Sequence, residues 1–248
     1  MTSAALSLAG KRLERYFFPG MALLMLGAVL LGFAKTYFLA GMFRAPLPNV
    51  LIHIHGAVFT SWILLLVVQT SLVAADRVDL HRRLGLFGFG LAIAMVILGI
   101  LAATDQLRRG VGDLPEMNAK TFYIIPLTDI VLFATFVFFA WRERINPPAH
   151  KRLILLATIV LIGAGVARWP FAFIQQTPYW VTHVCADAFL LPLVAYDLWS
   201  SGKLHRVTLW GGLLLIVGHH SRFMISGTPV WQAFATWAQN VARSVAGG

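Results

Sequence analysis

Apolar runs of about twenty residues recur along this chain, and short polar stretches separate them. A helix rising about 1.5 Å per residue needs roughly that length to cross the hydrocarbon core of a bilayer. The pattern predicts seven spanning helices, at about 17–39, 51–75, 84–104, 121–141, 153–174, 179–199 and 207–226. Short connections make consecutive spans antiparallel neighbours. The expected fold is therefore all-α, a single polytopic transmembrane helix bundle over 1–248. Beyond the last run, Trp231, Phe234, Ala238 and Val241 recur at helical spacing. They predict either an interfacial helix over 230–244, anchored by Trp231 and Trp237, or a frayed tail.

Composition sharpens this reading. Of 248 residues, 58% are hydrophobic and 12% charged, where a soluble domain carries about 25% charged residues. Mean hydropathy is +0.76. A water-soluble fold of this size could not bury so much apolar surface, which makes the lipid bilayer the solvent. The first apolar run, Phe17 to Leu39, is too long for the core of a cleavable signal and reads as a retained span. The single cysteine, Cys185, excludes an internal disulfide and a thiolate metal cluster.

The formal charge of +10 comes from 20 Lys and Arg against 10 Asp and Glu. These cations fall between apolar runs, and no separate basic domain exists, so nucleic acid is not an expected partner. Twelve of them (Lys11, Arg12, Arg15, Arg77, Arg82, Arg83, Arg142, Arg144, Lys151, Arg152, Lys203, Arg206) lie on one side of the predicted membrane. Six (Arg44, Arg108, Arg109, Lys120, Arg222, Arg243) lie on the other. The richer side is expected to be cytoplasmic, which places the N-terminus inside and the C-terminus outside.

Ionisable groups within the apolar runs carry the candidate chemistry, because burying them in lipid is costly. Lys35 lies near the outer end of span 1, and His53 and His55 open span 2. Asp129 lies about two turns into span 4, and Arg168 near the outer end of span 5. His183 and Asp187 share the outer half of span 6, as His219 and His220 share that of span 7. All fall in the outer half of the predicted membrane. His183 and Asp187 are four apart and share a helix face. His53 and His55 point to nearly opposite faces, and His219 and His220 diverge by about 100°. The expected converging set is one His of span 2, His183 and one His of span 7, with Asp187 or Asp129 as orienter or base.

Three chemistries use such a set. Imidazoles on facing helices hold haem or redox copper or iron, with Arg168 and Lys35 available to haem propionates or a quinone head group. Three His with an open fourth position and a nearby carboxylate make a zinc hydrolase, here acting on a lipid. Alternatively the histidines satisfy one another and respond to pH, in a non-catalytic assembly subunit whose partner is another membrane protein or a second copy. No HExxH motif is present. Gly85, Gly88 and Gly90 imitate a nucleotide loop but sit in a span, where they favour close helix packing. His81, His150 and His205, each followed by a basic residue, precede spans 3, 5 and 7. They read as anchors of the cytoplasmic helix ends, as a trace of a duplicated two-helix unit, or as a second site.

The boxes His53-Ile-His55-Gly56, Gln69 and His81-Arg82-Arg83-Leu84-Gly85, with a second box at His150-Lys151-Arg152 and Arg168, resemble a group of bacterial multi-pass membrane proteins of unassigned reaction. The resemblance covers spans 2 to 5 and implies a shared topology in a bacterial cytoplasmic membrane. The span count and His set also resemble the zinc-dependent intramembrane hydrolases of the progestin-receptor and ceramidase type. The chain departs from that pattern at His219-His220, which are adjacent where those proteins space a pair four apart.

Overall fold

The computed structural model of the chain describes residues 3–44, 48–112 and 117–247, with side chains over 13–246. The side chains of Lys11 and Arg12, counted above for orientation, lie outside the described residues. The helices are α1 (Ser3–Phe33), a π-helical turn (Ala34–Phe38), α2 (Ala40–Phe43), α3 (Val50–Ala74), α4 (Val78–Arg109) and α5 (Ala119–Arg142). They continue as α6 (Pro147–Val166), α7 (Ala172–Gln175), α8 (Tyr179–Asp187), α9 (Leu190–Ser201), α10 (Arg206–Ile225) and α11 (Pro229–Gly247).

Local chemistry sets the boundaries. Asn49 and Asn118 cap α3 and α5 by accepting from the Ile52 and Thr121 amides, each at 2.9 Å. Pro147 opens α6 at the position where a missing N–H costs nothing. Gly110 and Gly202 end α4 and α9 in the left-handed region, at φ of 71° and 69°. One predicted span is broken. Pro192 has no N–H to offer the Ala188 carbonyl one turn back, and its ring crowds that oxygen. The helix therefore stops at Asp187 and restarts at Leu190.

Six helical stretches are long and apolar enough to cross a membrane: Leu13–Phe38, Val50–Ala74, Val78–Arg109, Ala119–Arg142, Pro147–Val166 and Tyr179–Ser201, the last joining α8 and α9. The chain is a polytopic α-helical membrane protein. α10 has the same length as α6, 20 residues. It falls short of those six in hydropathy because His219, His220, Ser221 and Arg222 interrupt its apolar run.

α6 is the central helix, packed on α1, α5, α8 and α10. Within its most apolar stretch 72% of residues are buried, against at most 44% in the other spans. Its crossing with α1 is a backbone contact: a Cβ on Gly32 would lie 2.1 Å from the Gly165 carbonyl oxygen. Only a glycine permits that approach. Trp169 Nε1 donates to Ala28 O across the same crossing, at 3.0 Å. α3 packs on α1 and α4, whereas α10 wedges among α5, α6 and α8.

The segment after α10 is a helix docked on the bundle. Trp231 Nε1 donates to Lys120 O at 2.8 Å and Gln239 Nε2 to Leu107 O at 2.7 Å. Arg243 Nε donates to Arg108 O at 3.2 Å. The first bond ties α11 to the start of α5, and the other two serve carbonyls of the last turn of α4. The opposite face of α11 leaves Val230, Trp237 and Val245 exposed.

Candidate functional site

The break after Asp187 and the wedge position of α10 bring two helices' polar groups together inside the bundle. Asp187 ends α8, and each of its carboxylate oxygens meets one imidazole of α10. Oδ1 lies 2.6 Å from His219 Nδ1, and Oδ2 lies 2.8 Å from His220 Nε2. The sequence separates the two rings by about 100° around the helix, and a carboxylate placed between them serves both.

His219 is fully buried, and its other nitrogen, Nε2, lies 3.7 Å from Asp129 Oδ1 on α5. That is beyond hydrogen-bond distance. Asp129 is held instead by Arg222, one turn past His219, whose Nη1 lies 2.5 Å from the same oxygen. Arg222 Nη1 also reaches Thr128 Oγ1 at 3.0 Å and Ile125 O at 3.2 Å. His219 Nε2, Arg222 Nε and Arg222 Nη2 are buried without a hydrogen-bond partner among the described residues.

His183 completes the cluster. Its ring centre is 5.5 Å from that of His219, at an interplanar angle of 72°. It is packed between Tyr179 and Phe223, with ring centres at 4.8 and 5.4 Å. Its Nε2 faces Gly163 of α6, where a Cβ would lie 3.6 Å away, an ordinary van der Waals contact.

The expected convergence of a span-2 histidine with this group does not occur. His53 and His55 sit on α3, which has no substantial interface with α8 or α10. His53 is exposed and lies 3.4 Å from the Tyr37 hydroxyl through Nδ1. His55 stacks on Phe59 with ring centres 4.0 Å apart. Lys35 lies over Phe43 at 5.7 Å, exposed, on the π-helical turn. Arg168 lies over Phe33 at 5.0 Å and donates to Ala164 O at 2.8 Å. Among the described residues no group of three or more His, Cys, Asp or Glu is arranged to hold a metal ion.

Arg222 is the residue that sequence reasoning missed, because it was counted among the outer-side topology charges. Its signal was present: it follows His219 by three positions and so shares that helix face.

A second buried ion pair lies at the other end of the bundle. Arg152 of α6 pairs with Asp197 of α9 through Nε at 3.0 Å and through Nη2, and both side chains are almost wholly buried. Asp197 Oδ2 also accepts the His205 amide at 3.0 Å. His205 Nδ1 in turn accepts the Val207 amide at 3.1 Å and caps α10. Burial first, and then the nearby Arg152 charge, hold the His205 imidazole below its ordinary pKa. Comparison with protein-family models, curated proteins and solved structures gives no match for the chain.

Proposed function

We propose that this is a membrane-embedded proton-handling protein, in which the Asp187–His219–His220 unit takes up a proton and passes it toward Asp129. With neutral imidazoles, the two carboxylates and one guanidinium carry one net negative charge. A single proton shared by the imidazoles brings that sum to zero. Uncompensated charge is costly in a lipid-surrounded interior, and carboxylate–histidine chains at such depth serve proton transfer. His220, with 35% of its side chain exposed, is the entry. Asp187 links it to the fully buried His219, and Asp129 is the next acceptor.

The observation that carries this reading is the set of buried groups without partners. A purely structural lock between helices satisfies its donors and acceptors, since buried polar groups in folded proteins are almost always bonded. Here His219 Nε2 and two Arg222 nitrogens, all beside Asp129, are free to bind what the site acts on. Reconstituted vesicles given a pH jump and an internal pH dye test the proposal. The His219→Gln variant is expected to slow proton transfer at least about tenfold, on the scale of acid–base groups generally. Equal rates in wild type and variant contradict it.

One observation favours a second reading, a transition-metal site for iron, copper or zinc at His219. A carboxylate on Nδ1 with Nε2 left free is the arrangement that orients metal-bound histidine. Metal analysis of gently purified protein decides between the two, with stoichiometric metal lost in His219→Gln favouring this one.

The same proposal places α10 across the membrane as a seventh span. Its outer face carries exposed Trp210, Leu213, Leu214 and Val217, a surface suited to lipid. It keeps the N-terminus in the cytoplasm of a bacterial cell, an orientation that the Lys and Arg distribution supports.

A further inference from the structure

A cavity of about 570 Å³ lies at the opposite end of the bundle from Asp187, between α3, α4 and the start of α6. Its size is that of a site for a sizeable organic ligand. Trp62, Leu65, Phe89 and Trp141 give it apolar walls, and Gly85 and Gly88 present no side chain from α4.

His81 and His150 both line this cavity, with ring centres 6.4 Å apart and ring planes at 84°. An iron atom bound by two imidazole nitrogens at about 2 Å each puts the ring centres roughly 6 Å apart, once the ring radii are added. His150 Nδ1 lies 2.9 Å from Ala140 O, so its N–H is committed to that carbonyl and Nε2 is left as a ligand. Backbone carbonyls orient metal-bound histidines in the same way. His81 Nδ1 and Gln69 Oε1 are buried without a hydrogen-bond partner among the described residues.

Charge adds a second constraint. Arg82 and Arg144 line the cavity and are exposed at its solvent side, with the Arg144 guanidinium 4.6 Å above the Trp141 ring. Two guanidiniums beside an apolar slot suit a flat ligand carrying two carboxylates. The two imidazoles of this cavity are too few protein ligands to hold a bare metal ion there. A porphyrin removes that shortage, because the macrocycle supplies four nitrogens and the protein only the axial pair.

We propose that this cavity binds a haem, with His81 and His150 as axial ligands and the propionates paired with Arg82 and Arg144. None of these residues belongs to the Asp187 cluster, so the two proposals stand or fall separately.

The test is a hemin titration of the purified full-length protein in detergent, followed by absorption spectroscopy. The expected result is saturation at one hemin per chain with a low-spin six-coordinate spectrum. His81→Ala and His150→Ala each lose that spectrum and recover it when imidazole is added, which separates ligand loss from misfolding. His219→Gln keeps it. Three results overturn the proposal: no saturable hemin binding, a six-coordinate spectrum that survives both alanine variants, or a tightly co-purifying quinone or lipid that occupies the cavity and excludes hemin.

Discussion

Arg222 of α10 and Asp129 of α5 form an ion pair at 2.5 Å inside the bundle, and the guanidinium is fully buried. Removing one partner of a buried pair leaves the other charge without compensation, at a cost of about 3–5 kcal/mol. Arg222→Ala is therefore expected to lower thermal stability in detergent strongly. The double variant Arg222→Met, Asp129→Leu is expected to recover much of that loss, since an apolar pair of similar volume avoids burying charge at all. Equal melting temperatures for the single and double variants contradict the pairing.

The Arg152–Asp197 pair ties α6 to α9 and reaches α10 through the His205 amide. Asp197→Ala loses the ion pair and the bond to that amide together. The expected cost is again about 3–5 kcal/mol, with local loosening at the start of α10. Hydrogen exchange at the first amides of α10 reads this directly, and unchanged protection there contradicts it.

The cap at His205 makes a pH prediction. Its Nδ1 accepts the Val207 amide only while the imidazole is neutral. Burial and Arg152 depress the folded-state pKa below 6.5. The group therefore contributes stability in full above pH 6.5 and loses it as the pH falls through the lower folded-state value. The Val207 amide is expected to lose protection, relative to its intrinsic exchange rate, under mildly acidic conditions. His205→Asn, which caps without titrating, abolishes that dependence. An acid-sensitive amide in the Asn variant contradicts the assignment.

Much of this was legible in the sequence. The helical class and six of the seven apolar runs follow from hydropathy alone, because lipid as solvent forces long apolar helices. That His183, Asp187, His219 and His220 lie level with one another also followed, since rise per residue places them alike along neighbouring helices. Lateral neighbours did not follow. Nothing in the spacing of His53 and His55 indicates that α3 packs on α4 and not on α10. The partnership of one carboxylate with two adjacent histidines was hidden as well. Two rings about 100° apart suggest separate faces until a helix end, cut by Pro192, is placed between them. The fate of the basic His boxes divides: His205 caps a helix, whereas His81 and His150 line a cavity.

Helix crossing makes a prediction of its own. A Cβ at Gly32 would lie 2.1 Å from Gly165 O, while one at Gly27 meets nothing within 4 Å. Gly32→Ala is expected to push α1 from α6 and destabilise by about 1–3 kcal/mol, the usual cost of overpacking. Gly27→Ala is expected to be neutral or slightly stabilising, since alanine favours helix. Parallel melting curves for the two variants check both statements.

The central claim is that Asp187 and the two histidines act as one proton-binding unit. Infrared difference spectra of the reconstituted protein, taken between about pH 5 and about pH 8 where histidine pairs change charge, test it most directly. The account predicts coupled carboxylate and imidazole bands in the wild type. Asp187→Asn and His219→Gln should each remove the same set, because the hydrogen bond between the two side chains couples them. Spectra that are superimposable among the wild type and both variants would contradict the relay and leave the cluster a structural lock.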